Sequence, residues 1–123
     1  MLSTCTNKGD YLLIEVTGTY TFKGLITTIH EVAEHCRQEK LGKVLIDLRN
    51  VSGRPNNFER YQLGLEIARV WGNEIRAAVV APVGVGTRMT ENTAVNRGAQ
   101  MKATTSMDEA MGWLELKQEP KHA

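Results

Sequence analysis

The sequence predicts an α/β domain, a mixed sheet with an N-terminal antiparallel hairpin and about four helices in the order β-β-α-β-α-β-α-β-α. Three observations predict it. The first is Lys43-Val44-Leu45-Ile46-Asp47-Leu48-Arg49-Asn50-Val51, an apolar run that feeds a Gly/Pro/Asn loop and then an amphipathic helical pattern. A buried strand, a polar loop and a helix form the repeating unit of open α/β sheets, whose working loops lie at strand ends. The second is a second such unit, residues 75–81 followed by Pro82 and a glycine-containing loop. The third is a period-two pattern before residue 18, which belongs to a sheet with one face more buried than the other.

The elements follow in order. Residues 2–6 and 11–17 form a hairpin across Asn7-Lys8-Gly9-Asp10, residue types that tolerate positive φ or bond their own backbone. Gly18 ends the second strand. Thr21 is placed to N-cap a helix running to about Lys40. Its apolar stripe is Phe22, Leu25, Ile26, Ile29, Val32, Ala33 and Cys36, with Thr28, Glu31, Glu34 and Gln38 opposite and Gly42 closing it. The 44–48 strand is apolar on both faces, as in a parallel sheet. A loop spans 50–57, and a helix from Phe58 to Trp71 buries Tyr61, Leu65, Ala68 and Trp71. After the 75–81 strand, a short helix runs from about Thr90 to Arg97, and 100–104 is an edge strand. Ser106-Met107-Asp108-Glu109 is a capping-box pattern opening a last helix, with Ala110, Met111, Trp113 and Leu114 on its apolar side. Residues 1–117 read as one domain and 118–123 as a frayed tail.

Bulk properties exclude several functional classes. The length suits one domain with a core of its own. A formal net charge of +1 lacks the basic footprint of a dedicated nucleic-acid binder. No apolar run is long enough to span a bilayer, and residues 1–10 lack the build of a signal peptide. Cys5 and Cys36 match no metal or redox spacing, so a reducing cytoplasm is the expected setting.

Parallel strands would bring the loops 50–57 and 82–90 to one sheet edge. Arg49, Arg54, Arg88 and the backbone N–H groups of Gly84 and Gly86 would then converge on a small anion. The plainer reading is a pair of solvated loops, since the Gly-x-Gly lacks a third glycine and no Walker lysine follows. His30 and Glu34 lie one helical turn apart, but His35 is rotated by about 100° from Glu34, so ion pairing or plain exposure is expected rather than a metal site. Ser52, Thr87 and Ser106 sit in no nucleophile elbow, no histidine falls in a strand-end loop, and Cys36 is a packing residue. Neither catalysis nor a cofactor is expected. Trp71, Trp113, Tyr61, Met101, Met107 and Met111 read as core at helical spacing; exposed together, they would mark a homodimer or partner face.

The strand 43–51 and the closing Thr105-Ser106-Met107-Asp108-Glu109-Ala110-Met111-Gly112-Trp113-Leu114 resemble the SpoIIAA-like branch of STAS-type domains, the group of anti-sigma-factor antagonists. Glu91-Asn92-Thr93-Ala94-Val95-Asn96-Arg97-Gly98 resembles the short helix and Arg-Gly exit of small bacterial members. The resemblance covers nearly the whole chain. It implies a STAS-like fold and a non-catalytic regulatory module working through a protein partner at the loop 50–57 and the helix after it. The residues implied there are Asn56, Asn57, Glu59 and Arg60, with Ser52 nearby as a further binding candidate. In the antagonists this loop carries an Asp-Ser-Ser/Thr-Gly segment whose serine is phosphorylated. Here those positions fall on Pro55, Asn56, Asn57 and Phe58, with Ser52 at the wrong offset, so the phosphoswitch does not carry over. Asn57 keeps a capping role for a helix starting at Phe58. The alternative function is a carrier of a small anionic or lipid-like ligand, as in the related CRAL-TRIO domains.

Overall fold

The structure is a computed structural model that describes residues 1–116; the expected frayed tail lies outside the described residues. In chain order the elements are β1 (Leu2–Asn7), β2 (Leu12–Thr19), α1 (Phe22–Glu39), β3 (Lys43–Ser52), α2 (Asn57–Trp71), β4 (Arg76–Val80), α3 (Arg88–Asn96), β5 (Gln100–Thr104) and α4 (Met107–Trp113). The strands form one sheet in the order β1-β2-β3-β4-β5. β1 is antiparallel to β2, and the other neighbours are parallel. This is the predicted architecture, with β5 at the edge.

Alternation along each strand divides the apolar residues between two cores. Leu12, Ile14 and Val16 of β2 and Val44 and Ile46 of β3 face α1 and α2, meeting Ile29, Val32, Leu63, Ile67 and Trp71. Leu45 of β3, with Ala78 and Val80 of β4, faces Ala110 and Leu114 at α4. The two-sided burial explains why β3 and β4 read as unbroken apolar runs. Trp71 satisfies its indole N–H by donating to the Ile29 carbonyl, 2.9 Å away, which ties α2 to α1 inside the core.

Local chemistry sets the boundaries, and several differ from expectation. β2 does not end at Gly18, and β3 runs to Ser52, because Thr17, Gly18 and Thr19 pair with Asn50, Val51 and Ser52 beyond a bulge. The polar residues there satisfy a backbone ladder that their weak strand propensity hides. The loop therefore shrinks from 50–57 to residues 53–56. Thr21 caps α1 as expected, accepting from Gly24 N at 3.0 Å. Lys40, in the left-handed region at φ 56°, ends α1, rather than Gly42. Thr28 is buried, not exposed, because its hydroxyl donates to the Gly24 carbonyl and leaves its methyl to the core.

α2 begins one residue early. Asn56, not Asn57, is the N-cap, and with Glu59 it forms a reciprocal capping box. The buried face of α2 is Leu63, Gly64, Ile67 and Trp71, whereas Tyr61 is 39% exposed and Leu65 and Ala68 are half-buried. Apolar residues surround this helix, so its neighbours choose the face: Gly64 fits directly against Thr93 and the Thr90 carbonyl of α3. α3 starts at Arg88, two residues before the expected position. At α4 only half of the predicted capping box forms. Ser106 accepts from Glu109 N, but the Glu109 carboxylate accepts from Thr104 Oγ1, which itself takes the Ser106 N–H.

Candidate functional site

In parallel β-α units the loop after each strand lies at the carboxyl edge of the sheet. Residues 53–56 follow β3 and residues 81–87 follow β4, so the two loops meet there, and α2 and α3 begin beside them. Two arginines join the loops. Arg60, on the first turn of α2, donates to Asn57 Oδ1 at 2.9 Å and to the Val85 carbonyl at 2.7 Å. Arg54 reaches the Gly84 carbonyl at 3.4 Å. Gly84 and Gly86 both adopt positive φ, +85° and +76°, and this turn presents carbonyls to the arginines. The expected cradle of N–H groups is replaced by acceptors, because the guanidinium groups supply only donors.

The predicted site residues therefore separate. Arg54, Asn57, Arg60, Gly84 and Gly86 come together as the clasp between the loops. Arg88 stands exposed at the start of α3. Asn56 is committed to its cap. Ser52 lies at the end of β3, its hydroxyl turned to the Gly18 carbonyl of β2 and its own carbonyl accepting from Tyr20 N at 2.7 Å. Arg49 does not join the group. It is held by Asp47, Nε and the backbone N–H bonding Oδ1 and Nη2 bonding Oδ2 at 2.9–3.0 Å. Asp47 follows Leu45 on the face that α4 covers, so this pair belongs to the far side of the sheet. The Arg49 hydrogen bond, outweighing burial, lowers the Asp47 pKa.

The histidine reading resolves as ion pairing: His30 Nε2 lies 2.8 Å from Glu66 Oε2, and Glu34 pairs with Arg37. No metal-ligating cluster occurs among the described residues. Trp71 and Met101 are buried, while Met107, Met111 and Trp113 pack half-buried around the second core. Of that set, Tyr61 is the exposed large side chain, with Arg97 over its ring at 5.6 Å.

Two features were not foreseen. The first is a cavity of about 100 Å³ beneath the loops, walled by Leu25, Ile29, Ile46, Ile67, Val79 and Tyr20 among others, with no charged side chain in its lining among the described residues. Tyr20 occupies the short link between β2 and α1, where no periodicity marks it as facing inward. The second is the exposure of Phe58, on a helix whose sequence placed other aromatics in the core.

No protein-family model matches the chain, and no curated protein matches it. Solved structures do. An anti-sigma factor antagonist from Mycobacterium paratuberculosis is 16% identical, with a TM-score of 0.61 over 93% of this chain and 93% of that one. The anti-sigma factor antagonist SpoIIAA in its unphosphorylated form is 9% identical, with a TM-score of 0.52 over 93% of this chain and 96% of that one. At such identities the likeness is one of architecture, and it agrees with the strand order and the four helices described above. The chain has the STAS-like fold that these antagonists share.

Proposed function

We propose that the protein is a non-catalytic, STAS-like regulatory module that docks a protein partner on the carboxyl edge of its sheet. The observation that carries this reading is the apolar surface there. Large exposed apolar side chains are Leu2, Phe58, Tyr61, Val83, Met89 and Val95; Phe58, Val83 and Met89 lie on the edge loops or the first turns of α2 and α3, with Tyr61 on the second turn of α2. Phe58 is 71% and Val83 86% exposed. Aromatic and methionine side chains ringed by arginines are the usual make-up of an interface centre. Arg54 and Arg88 border this patch, so the partner it suits has an apolar socket with an acidic rim. The two free thiols fit a reducing compartment.

The reading involves no phosphoswitch. Pro55, Asn56, Asn57 and Phe58 carry no hydroxyl, and both amides already serve the start of α2. The test is affinity capture from host extract with the wild-type chain and with Phe58→Asp, alongside sedimentation of the pure protein. A partner captured by wild type and lost with Phe58→Asp is the expected result. A captured set that the substitution leaves unchanged would overturn the reading. A wild-type homodimer that Phe58→Asp makes monomeric would assign the patch to a second copy instead.

A second reading, a small-ligand carrier, is favoured by the cavity behind this surface. Its volume is below that of an acyl lipid, and among the described residues no basic side chain lines it to meet an anion.

A further inference from the structure

We propose that the cavity under the two edge loops binds one small neutral molecule, apolar except for a single acceptor oxygen, which accepts a hydrogen bond from the Tyr20 hydroxyl. The inference rests on the second reading above, that the chain binds a small ligand, and it names the chemical class. Size sets the first limit. An aliphatic cavity of roughly 150 Å³ holds benzene, so about 100 Å³ suits a molecule smaller than benzene. Charge sets the second. The walls are Leu25, Ile29, Ile46, Ile67 and Val79 with uncharged neighbours, and an ionised guest would lose its hydration with nothing to replace it.

Tyr20 supplies the polar handle. Its ring lines the cavity, and its Oη is buried with no hydrogen-bond partner among the described residues. The residue is held in place by its backbone N–H on the Ser52 carbonyl. Burial, next the charge of the nearby Glu59 carboxylate and then the approach of the hydroxyl to it, push the phenol up to about 12 against an opposing pull from Arg60, so it keeps its proton at neutral pH and can donate. Glu59 Oε1 accepts from the Asn56 N–H in the capping box, so a guest oxygen competes for the hydroxyl only with what acceptor capacity that carboxylate has left. A buried donor with no acceptor is unfavourable, and a guest oxygen would remove that penalty. A water molecule there would need two to four polar partners, which walls of this kind do not favour.

The test uses two probes of similar shape, acetone and isobutene, titrated into the full chain while the methyl resonances of Ile29, Ile46, Ile67 and Val79 are followed. Both probes should shift these methyls. Tyr20→Phe, which removes the hydroxyl and keeps the ring, should weaken acetone by roughly 3- to 10-fold and leave isobutene unchanged. Leu25→Phe, filling the wall, should weaken both. Equal acetone affinity in wild type and Tyr20→Phe would overturn the inference while the carrier reading stands. Failure of both probes to shift any of these methyls would overturn the two together. If Leu25→Phe does not fold, the Tyr20→Phe comparison still decides.

Discussion

Single side chains in this protein are mostly committed to fixed partners, and that commitment separates structural residues from available ones. Arg60, Asn57 and Asn56 looked like a binding set in the sequence, yet each one's hydrogen bonds serve the start of α2 or the loop beside it. Spacing showed that they were near one another; it could not show which way a loop carbonyl points. Glu66 is a case where a partner leaves a measurable mark. Hydrogen bonds from Arg69 and then from His30 hold its carboxyl at about 2, against an ordinary value of 4.5. A carboxylate lowered in the folded state adds stability above its unfolded pKa and loses it as pH falls through the folded one. Both partners are largely exposed, so screening limits the gain to about 1 kcal/mol or less. Glu66→Gln should therefore lower the urea midpoint at pH 7, and the deficit should close between pH 4.5 and about pH 2. A deficit of the same size at the acid end would show that Glu66 acts through packing rather than charge.

Elements were legible where one period dominated. The stripe of α1 and the alternation of β2 gave their buried faces directly, apart from Thr28, whose hydroxyl finds a local carbonyl. α2 was misread because Leu63, Leu65, Ile67, Ala68, Val70 and Trp71 leave no single apolar line. Its orientation is chosen by contact with α3, where Gly64 sits so close that an added Cβ would stand 2.6 Å from Thr93 Cβ and 2.8 Å from the Thr90 carbonyl. Two effects oppose each other at this position. Alanine in place of glycine gains about 1 kcal/mol of helix propensity, but the clash is with a backbone oxygen and a β-branched carbon that cannot rotate away. Overpacking of this kind costs about 1–3 kcal/mol and usually exceeds the propensity gain. Gly64→Ala should accordingly destabilise the protein in chemical denaturation, with the amide shifts of α3 displaced most. A stabilised variant would mean that α2 and α3 part easily, and the edge surface they share would then be less rigid than described.

The whole molecule is two cores sharing one sheet, and the question at this scale is whether they fold as one. Leu45 and Ile46 are consecutive residues facing opposite cores, so neither core can lose β3 without disturbing the other. α4 is seven residues long, too short to persist as an isolated helix, and it is held by burial of Ala110 and Leu114. Removing the Leu114 side chain to Cβ should cost about 2–5 kcal/mol, the range for a fully buried leucine. The two tryptophans report the cores separately: Trp71 lies in the first, and Trp113 packs at the second beneath the Arg76 guanidinium. In Leu114→Ala carrying 5-fluorotryptophan at both positions, the Trp71 and Trp113 fluorine resonances should report unfolding at one shared, lowered midpoint with an undiminished denaturant slope. Coincident probes are the signature of a single cooperative unit. If Trp113 changed at lower urea than Trp71, α4 would be a separately opening layer. The sheet with α1, α2 and α3 would then be the stable body, and the edge surface and the cavity would remain intact after α4 had gone.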